Sequence, residues 1–124
     1  MRARRLILLG LVALAGACIT PTIPLPPPEP EGVSFGLDTM TNTATFSYTI
    51  PTGVFGGARV FVEDETQGDG TITTANPDGT VDPVSWSPAF DGDRVQITFK
   101  LGEDSAGICL ILHPGPSSPA NYCN

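Results

Sequence analysis

Acid–base or metal chemistry in this 124-residue chain must be built from one histidine, three cysteines and thirteen acidic residues. His113 follows the apolar run Ile108-Cys109-Leu110-Ile111-Leu112 and precedes Pro114. A zinc site draws on several His or Cys ligands at set spacings, and this supply is too thin for one. A serine or cysteine hydrolase needs a nucleophile, a base and an orienting acid, and the only histidine abuts a proline. Carboxylates are plentiful enough for a glycosidase-like pair, but most sit beside Gly in turns, where Asp is expected on conformational grounds. The same turns present hard oxygen ligands of the kind calcium prefers: Glu63, Asp64, Glu65, Asp69, Asp78, Asp82, Asp91 and Asp93. The run Asn76-Pro77-Asp78-Gly79-Thr80-Val81-Asp82 alternates oxygen side chains, but its Gly79 stands fourth rather than sixth and no glutamate closes the loop at position twelve, so it is not an EF-hand.

A stronger chemical signal lies at the N-terminus. Met1 to Arg5 is cationic, and Leu6 to Ala17 is an uncharged run of twelve residues. As a helix that run is about 18 Å long, well short of a roughly 30 Å hydrocarbon core, so it reads as a signal peptide over residues 1–17 rather than a membrane span. Leu14-Ala15-Gly16-Ala17-Cys18 resembles the bacterial lipobox, with Leu four places before the cysteine rather than three. That resemblance implies cleavage before Cys18 and a diacylglyceryl group on its sulfur. A further palmitate-like acyl chain gives an anchor more durable than one chain provides. Ile19 is not the aspartate associated with inner-membrane retention, which points to the outer membrane of the cell envelope. Ala15-Gly16-Ala17 also fits the A-x-A site of ordinary secretion, which would cut at the same bond.

Cysteine parity favours the lipid. With Cys18 acylated, Cys109 and Cys123 remain as an even pair suited to an oxidising compartment, and a disulfide between them would pin the C-terminal tail to the fold. Removing residues 1–17 also removes Arg2, Arg4 and Arg5. Three basic residues then face thirteen acidic ones, a net charge near −10. Such a surface repels phosphates, and a nucleic-acid partner is excluded.

These residues must be positioned by a fold with little helix, because Gly (14) and Pro (13) are abundant and only 15% of residues are charged. Residues 18–32 hold the lipidated cysteine and a linker with six prolines, expected to be an extended spacer about 40 Å long. From Val33 to Asn124 the apolar residues alternate. Ala44, Phe46, Tyr48 and Ile50 fall on one face of a strand, as do Val95, Ile97, Phe99 and Leu101. Val33-Phe35-Leu37, Ala58-Val60-Val62 and Val81 to Trp86 repeat the pattern, and Gly70 to Thr74 reads as an edge strand. Ile108 to Leu112 is apolar on both faces and predicts a central strand.

Seven short strands separated by turns such as Gly56-Gly57 and Asp91-Gly92-Asp93 predict an all-β fold, a single small β-sandwich of immunoglobulin-like or fibronectin type III-like architecture. Val84-Ser85-Trp86-Ser87-Pro88 with Asp91-Gly92 is similar to the core-tryptophan segment of fibronectin type III domains. In that family the segment falls early, whereas here 38 residues follow Trp86, so the architecture is expected and not the family. Trp86 is expected in the core.

The expectation for function is a lipid-anchored envelope module that binds or supports an envelope protein or glycan without catalysis and needs no cofactor. A calcium-dependent carbohydrate-binding or adhesion module is the second reading, and a hydrolase the third.

Overall fold

The computed structural model describes residues 25–115 and 122–123; the expected signal peptide, Cys18 and the linker up to residue 24 lie outside the described residues. Alternating sequence becomes seven strands: β1 (Val33–Asp38), β2 (Thr43–Tyr48), β3 (Arg59–Asp64), β4 (Asp69–Thr74), β5 (Val81–Trp86), β6 (Arg94–Leu101) and β7 (Asp104–Ile111). The one helical element among the described residues is a 3-10 turn at Pro30–Gly32.

The strands form two antiparallel sheets, β1-β2-β5 and β4-β3-β6-β7. The fourth strand pairs with β3 rather than β5, whereas in an antibody constant domain the fourth strand joins the sheet of the first, second and fifth. Pro83 lies in β5, an edge strand, opposite an irregular step in register between Phe46 and Tyr48. An edge or a bulge is where a missing N–H does least harm.

The core lies between the inner faces. Ala44, Phe46 and Tyr48 of β2 meet Val60 and Val62 of β3 and Val95, Ile97 and Phe99 of β6, all buried. Phe46, Tyr48 and Phe55 each pack on Phe99, with ring centroids 6.5, 5.7 and 4.5 Å away. Side chains of this size contribute roughly 1.5–3 kcal/mol each through burial, and aromatic contacts add to that. Trp86 is buried as expected.

Three expectations are corrected. Ile108 to Leu112 belongs to an edge strand, not a central one: β7 pairs with β6 alone among the seven strands. Its outward side is covered in another way: Tyr122 bridges to Leu110 along its free edge, and Cys109 is tied to Cys123. Leu101 is exposed, since the pair Leu101–Asp104 closes the β6–β7 hairpin beyond the end of the core. The linker's second half is not a free spacer. Leu25 packs on the core, Pro28 is buried, and Gly32 accepts a bond from Thr49 N–H at 2.9 Å.

Antiparallel strands place the connections at two ends. The β1–β2, β3–β4 and β5–β6 turns share one end with the start of the tail. The β2–β3, β4–β5 and β6–β7 turns share the other with the docked linker.

Candidate functional site

Cys18, the predicted lipidation site, lies outside the described residues. Cys109 and Cys123 are joined in a disulfide with Cα atoms 5.2 Å apart. Cys123 N–H donates to the Cys109 carbonyl at 3.1 Å, so the tail is held by backbone as well as sulfur. Tyr122 beside it is half-buried against the core, and burial pushes its phenol pKa upward, with the Glu31 charge adding to the effect.

The acidic turns are divided between the two ends. Asp78 and Asp82 lie at the β4–β5 end, where the loop is closed on itself. Asn76 Nδ2 donates to Thr80 Oγ1 at 3.0 Å and to Asp82 Oδ1 at 3.1 Å, and Thr80 donates through both N–H and Oγ1 to Asp78 Oδ1. The Thr80 bonds hold the Asp78 carboxyl below its usual pKa. Glu63, Asp64, Glu65, Asp69, Asp91 and Asp93 sit toward the opposite end. Among the described residues no group of three or more His, Cys, Asp or Glu side chains converges on a point that could hold a metal ion. Millimolar calcium followed by chelator is therefore expected to leave the melting midpoint unchanged within about 2 °C; a reversible calcium-dependent rise beyond that would restore a metal site, since bound ligand stabilises by mass action.

At that opposite end two carboxyls are brought together that the sequence placed in separate turns. Asp64 ends β3 and Asp93 precedes β6, and they are 1% and 2% exposed. Asp64 Oδ1 accepts from Gln67 N–H at 3.1 Å, and Asp64 Oδ2 from Trp86 Nε1–H at 3.3 Å. Asp93 accepts from Gln67 Nε2 at 3.0 Å and from Phe90 N–H at 3.0 Å. Burial, followed by the contact with Asp93, raises the Asp64 pKa to about 6, while the Gln67 and Trp86 bonds pull it down. The network ties the β3–β4 hairpin, β5 and the β5–β6 loop together. A carboxylate pair that cleaves a glycoside must stand roughly 5–9 Å apart with room for substrate between. Asp64 and Asp93 touch each other and face away from solvent, so their arrangement suits holding loops rather than hydrolysis.

His113 Nδ1 lies 2.8 Å from Asp91 Oδ1 in an exposed pair. Exposed pairs of this kind contribute about 0–1 kcal/mol. On the outer face of the larger sheet, Phe61 and Ile72 are cross-strand partners at a shallow groove of about 440 Å³ that Glu63 and Asp69 also line. The Arg59 guanidinium sits 5.5 Å from the Phe61 ring centroid. Strict alternation from Val60 and Val62 puts Phe61 on this face, a signal present in the sequence though overshadowed by the inward residues.

No family model matches the chain, and no curated protein or solved structure matches it. The class that the fold and its cysteines define is a small, disulfide-stapled, all-β sandwich domain.

Proposed function

We propose that the chain is a bacterial lipoprotein whose sandwich is a non-catalytic binding or structural module of the cell envelope, held at the outer membrane through acyl chains on Cys18. The observation that carries this reading is the Cys109–Cys123 disulfide. A structural disulfide belongs to an oxidising compartment, and this pairing leaves Cys18 as the odd cysteine, immediately after a short apolar signal segment. The proline-rich connection to the domain and the strongly acidic surface fit an exported module with no nucleic-acid role. Among the described residues no helix is long and apolar enough to cross a membrane, so attachment in this reading depends on the lipid.

Cys18→Ser tests the proposal. The variant is expected to accumulate as uncleaved or soluble precursor, while the native protein partitions with membranes and carries a fatty-acid mass increment in intact mass spectrometry. Membrane retention of Cys18→Ser equal to the native protein, or native material without acyl mass, would overturn the anchor.

A further inference from the structure

The linker's described part is built into the domain. Glu29 N–H donates to the Tyr48 hydroxyl at 3.0 Å, and Gly32 N–H closes the 3-10 turn onto the Glu29 carbonyl at 3.0 Å. The Gly32 carbonyl then accepts from both the N–H and the Oγ1 of Thr49, at 2.9 and 3.3 Å. Gly32 is seated so closely that a Cβ there would stand 2.7 Å from Tyr48 Cε1 and 2.8 Å from Ile50 Cγ1, distances at which neighbours must move. Upstream, Pro26 and Pro27 line a small cleft with Tyr48, Val54 and Phe55 at the β2–β3 turn. An extended proline segment loses little entropy on ordering, and aromatic-lined clefts are its usual partners. Burial pushes the Tyr48 phenol pKa upward, consistent with a hydroxyl enclosed by this strap.

We infer that residues 25–32 are a strap that fixes the domain's orientation at the lipid surface, holding the β2–β3, β4–β5 and β6–β7 turns toward the membrane and the opposite end away from it. This rests on the lipoprotein reading. The strap is docked from Leu25 onward, so at most six residues, 19–24, separate Cys18 from it. Six residues span at most about 22 Å even when fully extended, half the reach of the whole linker. The sandwich is itself roughly 25 Å long by strand geometry, so a leash fixed at one end keeps that end near the headgroups. The far end presents Met40, 93% exposed in the β1–β2 turn, and the exposed Phe90 of the β5–β6 loop.

Two measurements on the native acylated protein test this. Amide exchange at Glu29 and Gly32 is expected to be at least tenfold slower than the intrinsic rate of an unstructured chain; exchange at the intrinsic rate would show that the strap is undocked and overturn the inference whether or not the chain is acylated. In vesicles carrying an acceptor lipid, energy transfer from a probe at Glu103→Cys, in the β6–β7 turn, is expected to exceed transfer from one at Met40→Cys by at least twofold. Inserting about twelve Gly/Ser residues between positions 24 and 25 leaves the docked contacts intact and is expected to erase that difference. Equal transfer from both probes in protein with its acyl mass present overturns the orientation, whereas missing acyl mass overturns the lipoprotein reading itself.

Discussion

Reduction of Cys109–Cys123, or replacement of Cys123 by serine, is expected to lower the domain's stability by about 3 kcal/mol, the chain-entropy value for a loop of about fifteen residues. For a domain of this size that corresponds to a fall of roughly 12–24 °C in melting midpoint. The staple does more than restrict the unfolded chain. β7 is the end strand of its sheet, and the tail covers its outer edge through the Leu110–Tyr122 bridge and the Cys123 N–H bond. With the bond cut, those contacts depend on a few residues whose ordering entropy, about 1–2 kcal/mol each, outweighs one bridge. The released edge carries Ile108, Leu110 and Ile111, a row of apolar residues beside unpaired backbone groups and a template for association. Melts with and without reductant should therefore show a lowered midpoint and concentration-dependent aggregation, and Cys123→Ser should match the reduced native protein. A midpoint shift below about 3 °C would show that the tail contributes nothing beyond its local contacts.

Strand positions were legible because one period governs them. In β2 and β6, inward aromatic and aliphatic residues alternate with Thr, Ser, Gln and Lys, and a face buried in one direction leaves a strand only one register. The misread elements are those whose apolar residues answer to something other than a sheet face. Cys109 and Leu110 of β7 are met by Cys123 and Tyr122, and no local pattern announces a partner more than ten residues downstream. Leu101 kept the alternation but overran the core. The strap was hidden by composition: proline excludes helix and central strand, which suggests a spacer, yet docking is decided by Gly32 and Tyr48, residues without periodicity. The Asp64–Asp93 contact was invisible for a related reason. Each residue looks like ordinary turn chemistry, and only the antiparallel stacking of hairpins at one end brings residues 29 positions apart together.

That contact carries the other large effect. Asp64 titrates near 6 in the folded domain against 3.8 in an unconstrained chain. Between about pH 4 and pH 6 the native state thus holds a proton that the unfolded state has released, so this group's contribution is fully present below about pH 4 and is lost as pH rises through 6. The gap is worth up to about 3 kcal/mol. Above pH 6 the buried Asp64 is charged, and the network is held by the bonds from Gln67, Trp86 and Phe90. Asp64→Asn keeps the shape and cannot ionise, although its single carbonyl oxygen can accept only one of the two bonds that Asp64 takes from Gln67 N–H and Trp86 Nε1–H. Its stability should decline less than the native protein's between pH 4.5 and 7, by about 2 kcal/mol. Asp64→Ala leaves the Gln67 N–H and the Trp86 indole N–H without their acceptor and should cost about 2–3 kcal/mol at pH 4.5, where Asp64 is protonated. Trp86 is the chain's one tryptophan and hydrogen-bonds Asp64, so its fluorescence reports the same event. A step near pH 6 is expected in the native protein and in a His113→Gln control, and is expected to vanish in Asp64→Asn. Repulsion among the exposed carboxylates also weakens the fold as pH rises, but that background is common to all three proteins and cancels in the comparison. Parallel stability profiles for the native protein and Asp64→Asn across this range would mean that Asp64 is already ionised at pH 4.5, with solvent or a counter-charge reaching a site that the packing closes.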